Sequence, residues 1–118
     1  MIERVVQPTP TSCGQACLAM ITGVDVESVI AEVPDRARGT YVHELGAYLR
    51  ANGWKANWLL QRLARGRALP QLAILRMKWK GERLGHWLVW ADGQVYDPSP
   101  TQYHRGDWSL TSCLEIWR

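Results

Sequence analysis

Two residues, Asp92 and Gly93, constrain this chain more than any others. They stand between the apolar runs HWLVWA (86–91) and QVYD (94–97), and Asp-Gly in that setting is a strong hairpin signal. A two-residue loop fixes the register. Ala91 then pairs with Gln94, and counting outward Leu88 faces Asp97 and His86 faces Ser99. His86, Leu88 and Trp90 share one side of the ribbon with Val95, Asp97 and Ser99. His86 and Asp97 become diagonal neighbours, about 7–8 Å apart at the backbone and within side-chain reach. A three-residue loop would shift the register and separate them. Pro98 holds Asp97 in an extended conformation and limits the direction of its carboxylate.

The chain before this hairpin is helical in period. Residues 7–23, QPTPTSCGQACLAMITG, begin as an extended arm held by Pro8 and Pro10. They turn through Thr11 and Ser12 into a helix whose first residue is Cys13. Ala16, Cys17, Met20 and Ile21 recur at helical spacing, and Gly23 caps the C-terminus. Asp25 caps a second short helix with Val26, Val29 and Ile30 inward, stopped before Pro34. Residues 34–39 read as a polar loop. Thr40 is expected to cap a third helix with Tyr41, Leu45, Tyr48 and Leu49 on one face, ended by Asn52-Gly53.

The period then alternates. Trp54, Ala56, Trp58 and Leu60 alternate with Lys55 and Asn57, as in a strand. Residues 61–70 read as a basic connector, 72–79 as a buried strand, 81–85 as a turn, and 110–117 as a last strand or a short helix. Helices first and antiparallel strands second predict an α+β domain with the first helix packed on the sheet. At 118 residues the chain is expected to be one domain, residues 1–118, able to bury a core without staples.

A thiol at the start of a helix faces unpaired N–H groups and the positive end of the dipole, surroundings that suit a reactive thiolate. An imidazole beside a carboxylate has a fixed tautomer and a stabilised cation. Cys13, His86 and Asp97 thus form a candidate nucleophile, base and orienter for acyl transfer. The Cys13 backbone N–H and the side-chain amide of Gln7, six residues upstream, are candidate oxyanion donors, each worth roughly 3 kcal/mol in a transition state. Gly14 would leave the thiol open to an approaching substrate.

Blander readings stand beside these. Taken alone, Cys13 is a small apolar filler on a helical stripe; the four residues together favour catalysis. Cys17 and Cys113 read as core. Cys13 and Cys17 lack a second close pair of ligands for zinc, so no metal or organic cofactor is expected. His43 reads as a surface residue. His104 and Asp107 are a second base–acid pair in a polar loop, ranked below the first. The seven tryptophans read as core and sheet packing, with Trp87 also a candidate for the cleft wall.

Three cysteines, an odd and sparse set, argue against a disulfide framework. No apolar run approaches the ~18 residues of a membrane span, and MIERVVQPTP has an early acid and no apolar core, unlike a signal peptide. A soluble protein of the reducing cytoplasm is expected. Arg62, Arg65, Arg67, Arg76, Lys78, Lys80 and Arg83 crowd the middle of a chain of net charge +3. No RNA- or DNA-binding motif accompanies them, so a solvated face is expected rather than a nucleic-acid site.

The run Gln7-x5-Cys13-Gly14, continuing as QACLAMI, resembles the N-terminal signature of the bacteriocin-processing, double-glycine peptidases of the papain-like superfamily. His86-Trp87-Leu88-Val89 resembles their histidine strand and Val95-Tyr96-Asp97-Pro98 their aspartate motif. The order Gln, Cys, His, Asp also matches. The resemblance implies a papain-like α+β fold; the chain departs from the transporter-linked members, which carry a membrane domain and an ATPase after the peptidase, and a stand-alone form is expected. It implies thiol peptidase activity on a peptide or protein, with Gln7 in the oxyanion hole, Cys13 as nucleophile, His86 as base and then acid, and Asp97 as orienter. Such sites also serve deamidation, isopeptide cleavage and acyl transfer. The alternative is a binding module that docks a peptide or acidic partner through the basic midsection and Trp79 or Trp87.

Overall fold

The computed structural model describes residues 2–63, 68–79, 85–100 and 108–118, the side chain of Trp108 excepted. Among these residues three helices come first: α1 (Cys13–Thr22), α2 (Val26–Glu32) and α3 (Val42–Ala51). Six strands follow: β1 (Lys55–Ala56), β2 (Gln61–Arg62), β3 (Leu72–Trp79), β4 (His86–Ala91), β5 (Gln94–Tyr96) and β6 (Trp108–Trp117). They form one antiparallel sheet in the order β1-β6-β3-β4-β5, with β2 also paired to β6. This is the expected α+β arrangement, and the last segment is a strand.

The period of two along the central strands divides the core between the two faces of the sheet. Ile74, Trp87, Val89, Ala91, Leu114 and Ile116 face the helices and pack with Cys17, Leu18, Leu45 and Leu49. Ala73, Leu75, Met77, Leu88 and Cys113 build a second cluster on the other face, flanked by Leu63, Leu69, Trp79 and Trp90. Helix α1 is buried along nearly its whole length, from Cys13 to Ile21, because it lies between β4 and the other two helices.

The helix ends follow the local chemistry. Gly23 caps α1 at φ 76°, its N–H donating to Ala19 O at 2.9 Å. Asp25 caps α2 by accepting from the Ser28 N–H at 3.2 Å. The N-cap of α3 is Tyr41 rather than Thr40. Glu44 accepts from the Tyr41 N–H at 2.9 Å, while Thr40 turns inward and donates its hydroxyl to Gln15 Oε1 at 3.1 Å. Tyr41 is therefore half exposed, outside the buried face of Leu45, Tyr48 and Leu49.

The strand expected over residues 54–60 is broken. Ala56 pairs with Ile116 and Gln61 with Cys113, so residues 57–60 stand opposite only Leu114 and Glu115. The surplus loops away from the sheet, leaving Trp58 and Leu59 76% and 77% exposed. Arg50 at the end of α3 holds the loop: its guanidinium donates to Ala56 O and Asn57 O and stacks on Trp58 at 3.5 Å. Trp58 thus departs from the expectation that the tryptophans are core and sheet-packing residues.

Candidate active site

The hairpin at residues 92–93 has the expected register: Ala91 pairs with Gln94, Trp90 with Val95 and Val89 with Tyr96. Asp92 and Gly93 both take positive φ, 49° and 81°, as a tight hairpin turn of this type requires. The ladder stops at Tyr96, and Asp97 turns its carboxylate to His86. His86 Nε2 and Asp97 Oδ1 lie 2.7 Å apart. The same oxygen accepts the Ser99 N–H at 2.9 Å, which fixes the carboxylate beyond what Pro98 alone supplies.

His86 opens β4, the strand on which α1 packs. A hydrogen bond joins its ring to the side chain of Cys13, the first residue of α1. The Trp79 ring lies against the imidazole, centroids 5.6 Å apart. Burial works to lower the His86 pKa. The hydrogen bonds to Asp97 and Cys13 and the charge of both work the other way and prevail, raising it from 6.5 to about 9. Cys17, one turn further on and fully buried, has its thiol pushed well up by burial, then by the charges of Cys13 and Asp97. All three cysteines are buried, and no disulfide joins them.

Gln7 is buried at the base of the loop that leads to Cys13. Its backbone N–H donates to Pro98 O at 2.8 Å, tying the N-terminal arm to the residue after Asp97. Its side-chain nitrogen donates to Thr9 O at 2.8 Å, and its Oε1 is buried without a hydrogen-bond partner among the described residues. Arg4 holds the same segment by donating to Asp97 O at 2.7 Å and Ser99 O at 2.5 Å.

Several site neighbours differ from expectation or carry no sequence signal. A Cβ on Gly14 would lie 2.8 Å from Thr40 Cβ and Oγ1, so this glycine admits a neighbouring loop rather than an approaching substrate. Trp87 is core: it is 2% exposed and donates its indole N–H to Thr40 O at 2.9 Å. Fully buried Gln15 donates to Val33 O and Pro34 O. Asp35, in the loop after α2, accepts hydroxyls from Thr9 and Thr11, each at 2.5 Å. Arg4, Gln15 and Asp35 owe their place to tertiary contacts that no local period announces. His43 is exposed, and His104 and Asp107 lie outside the described residues. Among the described residues no group of three or more His, Cys, Asp or Glu is placed to hold a metal ion, and no single helix is long and apolar enough to cross a membrane.

No family model and no curated protein matches this sequence. Solved structures do. One is a double-glycine-motif protease from an AMS/PCAT transporter, solved in complex with a leader peptide: TM-score 0.69 and 17% identity, over 99% of this chain and 91% of that one. Another is the peptidase domain of Streptococcus ComA, a bifunctional ABC transporter of a quorum-sensing pathway: TM-score 0.73 and 16% identity, over 99% of this chain and 98% of that one. The chain has the papain-like α+β fold of double-glycine peptidase domains.

Proposed function

We propose that this protein is a cysteine peptidase that cleaves a peptide bond through an acyl-enzyme on Cys13. One observation carries the reading: the His86 ring is hydrogen-bonded to Asp97, at 2.7 Å, and also interacts with the Cys13 side chain at the start of α1. An imidazole held in this way takes the thiol proton and keeps it as a stabilised cation. The sulfur then attacks the substrate carbonyl carbon, and the carbonyl π electrons move onto oxygen.

The oxyanion is received by the Cys13 N–H, at the first position of α1 where a helix offers its N–H groups no intrahelical acceptor, and by the Gln7 amide. An amide nitrogen carries two hydrogens, and the bond to Thr9 uses one of them. Collapse of the intermediate expels the amine, which leaves with the proton from His86. His86 next takes a proton from water, which attacks the thioester, and the acid and free thiol are released. Asp97 holds the imidazole in one tautomer throughout, itself fixed by the Ser99 N–H. Three cysteines outside any disulfide suit a reducing compartment such as the cytoplasm. A peptide substrate accords with the leader peptide bound to the similar transporter protease.

The test is incubation with a peptide set that includes Gly-Gly sequences and their Ala-Ala counterparts, followed by mass spectrometry. New fragments are expected with the wild-type protein and none with Cys13→Ala. Equal fragments from both proteins would contradict the proposal, and the Gly-Gly to Ala-Ala ratio reports the cleavage preference.

A further inference from the structure

The segment from Gln7 to Cys13 carries both oxyanion donors of the proposed reaction, and its residues before Cys13 belong to no helix or strand. Its shape is set from within and from outside. Within, Thr9 O receives the Gln7 side-chain N–H at 2.8 Å, the Ser12 N–H at 3.4 Å and the Ser12 hydroxyl at 3.2 Å, while the Thr9 N–H donates to Ser12 Oγ at 3.0 Å. From outside, one carboxylate grips it. Asp35 Oδ2 accepts from the Thr9 hydroxyl and Oδ1 from the Thr11 hydroxyl. The loop that carries Asp35 is itself fixed to α1, because buried Gln15 donates to Val33 O and Pro34 O. Cys13 is thus bracketed: Asp35 holds the residues before it, and Gln15 ties the same loop to the turn after it.

We infer that Asp35 is a positioning residue for the oxyanion site, acting through Thr9 and Thr11 to hold Gln7 and the Cys13 N–H at one fixed geometry. This rests on the peptidase reading above. A charged acceptor is suited to the task, since hydrogen bonds to a carboxylate are shorter and stronger than neutral ones. A donor must also be fixed before charge develops if it is to lower a barrier. Asp35 touches neither sulfur nor imidazole by any hydrogen bond among the described residues. Its loss should therefore separate two reactions of the same thiol.

The experiment compares them in the full chain. Alkylation of Cys13 by iodoacetamide forms a C–S bond and expels iodide without any oxyanion. Acylation by p-nitrophenyl acetate adds the sulfur to a carbonyl, passes through an oxyanion and expels nitrophenolate. For Asp35→Ala the expectation is an acylation rate constant about tenfold lower, part of the loss seen when a whole donor is removed, with alkylation within about twofold of wild type. Asp35→Asn, which keeps one acceptor oxygen, should recover part of the acylation rate. The double variant Thr9→Val/Thr11→Val should reproduce Asp35→Ala and serves if that variant does not fold. Equal loss of both reactions, or loss of neither, would overturn the assignment. Wild-type protein whose Cys13 is not acylated at all would instead overturn the peptidase reading.

Discussion

At the scale of single residues, the electrostatics of His86 gives the sharpest expectation. Its pKa is raised in the folded chain, from 6.5 to about 9. A raised cationic group adds stability that is fully present below the unfolded value, here about pH 6.5. That contribution is lost as the pH rises through about 9. Asp97→Asn removes the partner that holds the charge. The urea midpoint of wild type should exceed that of Asp97→Asn most clearly near pH 6, and the gap should narrow by about pH 10; a gap that widens with pH would contradict the pairing. Gly14 gives a second expectation. A methyl there meets Thr40, which cannot easily retreat because its hydroxyl is bonded to Gln15 and its carbonyl to Trp87. Gly14→Ala should cost roughly 1–3 kcal/mol of stability in urea unfolding, the range for overpacking a tight site. The placing of Cys13 at a helix start and of His86 beside Asp97 is legible in the sequence because a helix start and hairpin parity are local facts. The reason for Gly14 is not, because its neighbour Thr40 comes from another helix's approach.

At the scale of elements, the chain divides into stretches that local pattern describes and stretches that tertiary contacts override. The hairpin is of the first kind: its register follows from two residues with φ 49° and 81°. Gly93→Ala places a side chain in the left-handed region and should cost about 1 kcal/mol. Thermal unfolding measures it, and an unchanged or raised midpoint would count against the turn as described. Residues 54–60 are of the second kind. Their alternation reads as one strand, but Arg50 draws the chain out of the ladder and stacks on Trp58. A guanidinium reaching from a neighbouring helix leaves no trace in the period of the segment it captures. The start of α3 shows the same limit, for Thr40 resembles a cap but is drawn inward by Gln15.

At the scale of the whole molecule, the site lies where the two halves of the sequence meet. The helical half brings Cys13, and the sheet half brings His86 and Asp97. The N-terminal arm then returns to the late loop through Arg4 and Gln7, which bond the carbonyls of Asp97, Pro98 and Ser99. The overall fold in which this closure is made is similar to that of the double-glycine peptidase domains, at 16% and 17% identity. The fold thus persists where most side chains differ. Local signals marked which residues to bring together; the arm and the loop after α2, which hold them there, depend on partners far away in sequence.

The meeting of Cys13 and His86 is tested most directly by the rate of iodoacetamide modification near pH 6, mapped cysteine by cysteine. At that pH an ordinary thiol, with a pKa of about 8.5, is almost wholly protonated and slow to react. The account predicts that Cys13 reacts at least about tenfold faster than such a thiol, that Cys17 and Cys113 stay unmodified in the native protein, and that His86→Ala abolishes the advantage. Modification of Cys13 no faster than a free thiol, or unchanged by His86→Ala, would contradict it.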